Sequence, residues 1–193
     1  ATFAAIQAGE INLDDQLQVS STAAAEPAVK LGLQAGSKIE VRYLLRAVAV
    51  AGANDAATVL GEGLAGSEDA FARRLNQLSE ELGLTSSSWR NAHGLTEAGH
   101  FTSAKDIGRL LLAHRRDFPK YFNVFSRMSS DAGVKTVANS SRRILANLKG
   151  VDAVRFGHTR AAGYSAAAYV TRKNKSIVIV VLGARTTSSL LTR

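Results

Sequence analysis

The 193-residue chain contains no cysteine. That absence excludes a disulfide scaffold, thiol catalysis and zinc sites built on thiolates, while leaving the compartment open. Proline occurs only twice, and the sixteen glycines fall in no low-complexity tract, which excludes a disordered or collagen-like chain. Long apolar runs are missing too. The longest, residues 177–182, is far short of the ~20 residues a membrane-spanning helix takes, so no transmembrane segment is expected. No charged stretch leading into an apolar one opens the chain, so any signal peptide is expected to have been removed or left out.

What is present is ordinary for a globular domain: 46% hydrophobic and 21% charged residues. One domain is expected over residues 1–193, helical to about 145 and sheet-forming from about 146. The net charge of +8 invites a nucleic-acid reading. Yet the Lys and Arg are dispersed, and the densest group, Arg172, Lys173 and Lys175, reads as a turn. Nucleic-acid binding needs a clustered basic patch, so no specific nucleic-acid partner is expected.

Periodicity and punctuation place the elements. Residues 1–8 are helix-prone, lack an N-cap and stop at Gly9. Residues 17–19 form a short extended piece. Residues 41–50, apolar on nearly every side apart from Arg42 and Arg46, predict a buried helix broken by Gly52. Asn54 and Asp55 are candidate N-caps for a helix from Ala56 to about Leu64. Ser67 caps the next, whose Phe71, Leu75, Leu78 and Leu82 form one apolar stripe ended by Gly83. Residues 85–98 read as a long loop. Ser103 and Asp106 make a capping-box signature ahead of Ile107, Leu110 and Leu111. Pro119 opens a helical turn carrying Tyr121, Phe122 and Phe125, which with Phe118 read as core.

The last quarter is rich in Val, Ile, Ala and Tyr. Strands are predicted over 151–156, 164–171 and 176–182, the last two joined by the charged hairpin 172–175. The unbroken apolar run 177–182 suggests a strand covered on both faces. The fold class is α+β, a helical cluster packed on an antiparallel sheet.

Little of the chemistry is legible from residue types alone. His93 and His100 share the long loop and suggest a metal or acid–base pair. No carboxylate or histidine lies at helical spacing from either, so both read as loop-packing hydrogen-bonders, and no metal or other cofactor is expected. Neither Gly-x-Ser-x-Gly nor Ser-x-x-Lys occurs, so no nucleophile stands out.

Three stretches carry a resemblance. Residues 48–57, Val-Ala-Val-Ala-Gly-Ala-Asn-Asp-Ala-Ala, are similar to a Ser-x-Asn loop followed by Asp-Ala. Residues 84–95 contain Asn-Ala-His-Gly-Leu and lead into Gly99-His-Phe-Thr-Ser-Ala-Lys-Asp106. Residues 150–164, with Arg155-Phe156-Gly157-His158-Thr159, are similar to a strand bearing Lys-Thr-Gly. In this order and spacing they resemble the penicillin-binding D-alanyl-D-alanine carboxypeptidases, serine enzymes that trim peptidoglycan stem peptides. The resemblance implies a β-lactamase/transpeptidase-like fold and a peptidoglycan stem peptide or β-lactam-like ligand as partner. It also implies the bacterial periplasm or cell envelope as the location.

Carried over residue by residue, the resemblance implies substrate binding by Asn54, Arg155, Gly157, His158 and Thr159. Asn54 would hold a peptide group, Arg155 would meet the terminal carboxylate, and the N–H of His158 would be an oxyanion donor. The departures are specific. Gly52 replaces the family's relay serine, and Arg155-Phe156 replaces Lys-Thr. The lysine of Ser-x-x-Lys would fall two positions before Ala1, so the chain as given is expected to lack the nucleophile and to be inactive alone. Two readings follow: a serine-type carboxypeptidase without its nucleophile segment, or a catalytically inactive relative that binds peptidoglycan or a protein.

Overall fold

Turn chemistry fixes the first elements. The structure, a computed structural model, describes residues 1–191, with side chains through Ser189; residues 192 and 193, part of the expected domain, lie outside the described residues. Gly9, at φ 74°, closes the chain after helix α1 (Thr2–Gln7). The expected extended piece is strand β1 (Gln16–Gln18), and it pairs antiparallel with β2 (Lys38–Glu40), placing Leu17 opposite Ile39. Between them lies α2 (Ser21–Ala25), capped by Ser20, whose Oγ accepts the Ala23 N–H at 2.9 Å.

The predicted helix over 41–50 is two pieces. Helix α3 (Val41–Arg46) widens into a π-helical turn, Ala47–Ala51, and Gly52 ends it in the left-handed region at φ 78°. A π turn inserts one extra residue per turn, so no α-helical period describes this stretch. Helix α4 (Asn54–Ala65) follows, with every residue from Asn54 to Gly61 buried. It is therefore the central helix of the body. Gly61 and Gly63 let neighbours close in: a Cβ there would meet Phe71 at 2.9 Å and Leu17 at 2.5 Å.

The expected cap of α5 (Glu68–Glu81) is present, with Ser67 Oγ accepting the Ala70 N–H. Helix α6 (Ala104–Asp117) keeps half of its capping box. Ser103 Oγ accepts the Asp106 N–H, but the Asp106 carboxylate accepts from Ser86 N–H and Ser87 Oγ and so anchors the long loop instead. Helix α7 (Pro119–Phe122) runs into a 3₁₀ turn, Asn123–Ser126. Phe122 is buried, and Phe118, Tyr121 and Phe125 pack on the main core as expected. Hairpin β3 (Ser129–Asp131)–β4 (Thr136–Ala138) and helix α8 (Arg142–Asn147) are too short to have left a periodic signal.

Strands β5 (Val151–Thr159), β6 (Gly163–Arg172) and β7 (Lys175–Ala184) form an antiparallel sheet in that order, and α9 (Thr187–Leu191) follows. Lys173 and Asn174 both have positive φ, the two-residue turn whose twist suits a hairpin. One expectation fails here. Strand β7 is covered on one face only. Val178 and Val180 approach Gly108 of α6, whereas Ile177 and Ile179 are 57% and 37% exposed. An apolar run alone does not reveal how many faces are covered. The α+β expectation holds, with helices packed on an antiparallel sheet.

Candidate active site

Strand β5 carries Arg155 on the face that looks toward the helical layer. Its guanidinium reaches the motif loop at Gly52, where a Cβ would overlap Nη2 and lie 3.0 Å from Cζ. Nη1 donates to Ser140 Oγ at 2.8 Å. No carboxylate among the described residues forms an ion pair with Arg155. Burial lowers its pKa to about 10, which still leaves it cationic at neutral pH. The first and third motif stretches therefore meet at one cation.

Asn54 and Asp55 are not N-caps. Helix α4 begins at Asn54 itself, Ala53 provides no side-chain bond, and both side chains reach back to the preceding loop. Asn54 Nδ2 donates to the Pro27 carbonyl at 3.0 Å, while its backbone N–H donates to Val29. Asp55 is fully buried and gathers the N–H groups of Leu31, Gly32, Leu33 and Ala56 at 2.8 to 3.1 Å. Its role as a clamp on residues 31–33 was invisible in sequence, because the partners lie more than twenty residues away and are backbone atoms.

The other motif residues line the same strand. Phe156 stacks on Tyr164, with ring centroids 6.1 Å apart, so it supplies packing and no hydroxyl. Gly157 and His158 are exposed, and β5 lies at the edge of the sheet, which leaves one side of its backbone unpaired within it. The His158 ring stacks on Tyr164 at 4.1 Å. Thr159 Oγ1 accepts the Ala162 N–H and closes the turn into β6. A cavity of about 400 Å³ is lined by Leu33, Lys38, Glu40, Tyr43 and Val134 among others, and none of the motif residues borders it. The site is an open strand edge beside a loop.

A second cluster was missed because its members are distant in sequence. His93 Nε2 lies 3.5 Å from a Glu26 oxygen and 3.4 Å from a Glu68 oxygen, close enough for three ligand atoms to share a cation. The tautomer argues against a metal. His93 Nδ1 accepts the Leu95 N–H at 3.2 Å, which puts the neutral ring's proton on Nε2, facing the carboxylates. Thr58 and the Ala92 N–H donate to the same two glutamates. This is a hydrogen-bonded clasp between the long loop and the body. His100 Nδ1 accepts the Arg90 N–H and its ring packs edge-on to Trp89; burial lowers its pKa. Both histidines thus pack the loop through hydrogen bonds, as expected.

Comparison with known proteins bears on the family and the fold. A family model described as D-alanyl-D-alanine carboxypeptidase matches residues 2–186. Relatives include the D-alanyl-D-alanine carboxypeptidases DacF of Bacillus subtilis, 32% identical over 187 residues, and DacC of Escherichia coli, 30% identical over 188. Each match covers 94% of this chain but only 48% and 47% of the relative, so the chain spans about half the length of the curated relatives it matches. Among solved structures, penicillin binding protein 6B from Escherichia coli superposes with a TM-score of 0.87 at 28% identity, covering 96% of this chain and 60% of that one. Penicillin-Binding Protein D2 from Listeria monocytogenes, solved in a cefotaxime-bound form, gives 0.86 at 25% identity, covering 98% and 77%. With the fold, the order of the three motif stretches and the match to nearly its whole length in agreement, the chain belongs to the D-alanyl-D-alanine carboxypeptidase family.

Proposed function

We propose that this chain is the stem-peptide-recognising part of a cell-envelope D-alanyl-D-alanine carboxypeptidase, and that its 193 residues bind the peptide's terminal carboxylate without cleaving it. The observation that carries this reading is the half-buried Arg155 guanidinium, packed against Gly52 and without an acidic partner among the described residues. A guanidinium in that state grips a carboxylate through parallel N–H bonds. The unpaired side of β5 near Gly157 and His158 suits an extended peptide added as a strand. Asn54 supports the same reading: its Oδ1 has no hydrogen-bond donor among the described residues and is free to accept a substrate N–H.

Cleavage needs a nucleophile activated by a neighbouring base, and these residues contain no Ser-x-x-Lys. Gly52 also lacks the hydroxyl that would relay a proton, a step that contributes ~10²–10⁴-fold. One observation favours the second reading, a relative that binds wall peptide without turnover. The Arg155 side chain fills the space of a residue-52 side chain, so the two departures fit each other. In the test, a peptide ending in D-alanyl-D-alanine is titrated into labelled protein and followed by NMR. Binding on the order of millimolar, or ~4 kcal/mol, is expected. Arg155→Ala should abolish it and Arg172→Ala, on the hairpin, should not. Equal loss in both variants would reduce the attraction to the chain's overall charge and sink the proposal.

A further inference from the structure

We infer that Ser140, which lies in none of the three motif stretches, is a carboxylate-binding residue that replaces the hydroxyl lost at Phe156. This rests on the peptide-recognition reading above and adds a second donor to it. The Ser140 hydroxyl accepts from Arg155 Nη1, so its own proton points elsewhere. Among the described residues no protein atom takes that proton, and Ser140 is exposed. A hydroxyl that accepts from a cation is polarised into a stronger donor. Arg155 and Ser140 thus present N–H and O–H donors side by side, with no carboxylate paired to Arg155 among the described residues, the arrangement a ligand carboxylate completes.

The turn that presents Ser140 is held from several directions. The preceding Asn139 is buried, and its Nδ2 donates to the carbonyls of Phe125 and Arg127 at 3.3 and 2.8 Å. Its Oδ1 accepts the Ser141 N–H at 2.7 Å. The Ser140 N–H donates to the Val50 carbonyl at 2.9 Å, tying the turn to the π-helical segment just before Gly52. Such a donor is preorganised, so little ordering opposes binding. The strand supplies no hydroxyl beside Arg155: Phe156 carries none, and Thr159 stands at the turn into β6, about 13 Å along the strand.

The test compares a D-alanyl-D-alanine peptide as the free acid with the same peptide as its C-terminal amide, both titrated by NMR into the intact chain. The free acid should shift the Ser140 amide and the Arg155 Nε–H signals, and the amide form should bind much more weakly. Ser140→Ala should weaken free-acid binding about tenfold, the loss of one charge-assisted hydrogen bond, and leave the amide form unaffected. Ser140→Thr should restore most of the loss while the spectra report an intact fold. Unchanged free-acid affinity in Ser140→Ala overturns the role of Ser140 and leaves the Arg155 reading standing. Failure of Ser140→Thr to recover affinity overturns it as well. If the unmodified chain binds neither form, the peptide-recognition reading itself falls, and this inference with it.

Discussion

Arg155 occupies the volume that any side chain at position 52 would need. Gly52 is doubly suited to this partner, since it has no Cβ and sits at φ 78°, where other residues are strained. Gly52→Ser should therefore cost about 1–2 kcal/mol from the backbone alone. The arginine is flexible and will move aside, so the steric part shows as displacement more than as lost stability. Urea unfolding reads the first effect and the Arg155 Nε–H signal reads the second. An unmoved Arg155 signal in Gly52→Ser would contradict the packing described here.

The chain should form no covalent adduct with a fluorescent penicillin. No serine is followed by lysine one helical turn on, and the Arg155 guanidinium fills the place of any side chain at position 52. Intact-mass spectrometry settles it. A stoichiometric acyl adduct on any serine would reveal a nucleophile outside this scheme.

Asp55→Asn should loosen residues 31–33 specifically. The carboxylate accepts four backbone N–H groups, and an amide presents an NH₂ to donors that need an acceptor. The expected loss is roughly 3 kcal/mol, typical of a buried charged hydrogen-bond centre. Hydrogen exchange at Leu31, Gly32 and Leu33 should quicken more than at Val59. Uniform acceleration would mean that Asp55 acts only through global stability.

His114 sets an acid limit. Its ring stacks on Phe3 and packs edge-on to Phe118, Phe122 and Phe125. Burial lowers its pKa to about 4. Both folded and unfolded states are neutral there above pH 6.5, so its full stability is present at neutral pH. As the pH falls from 6.5 toward 4, the unfolded chain takes up a proton that the folded chain resists, and about 3 kcal/mol is lost. His114→Leu should flatten that part of the stability–pH curve. An unchanged acid limb would place the sensitivity elsewhere.

Sequence reading succeeded where one local rule governed. Ser67, Ser103, Gly9, Pro119 and the Lys173–Asn174 turn all act within a few residues of themselves. It failed where the partner was remote. Asp106 looked like half of a capping box, yet it serves Ser86 and Ser87 across the long loop. Asn54 and Asp55 had the chemistry of caps but bind a segment over twenty residues back. The Glu26–His93–Glu68 clasp joins three separate elements and left no spacing to read. The site was half legible. Arg155 and Gly52 stood out as departures from a family pattern, while their physical contact, and the place of Ser140 beside them, needed the fold.

The apolar interior is split. A large core surrounds α4, and a small one joins Val154, Ala168 and Val170 of the sheet to Ile144, Leu145 and Leu148 near α8. The three strands connect by consecutive hairpins, so the sheet draws its pairing from neighbours in sequence and can open as a cooperative unit of its own. Arg155 lies on the seam, rooted in the sheet while its head rests on the helical body. An opening of β5–β7 that leaves the helices folded would take the guanidinium away from Gly52 and Ser140 and dismantle the anion site. A ligand held across that seam would work as a latch between two semi-independent folding units, slowing exchange throughout the sheet while leaving the interior of α4 unchanged.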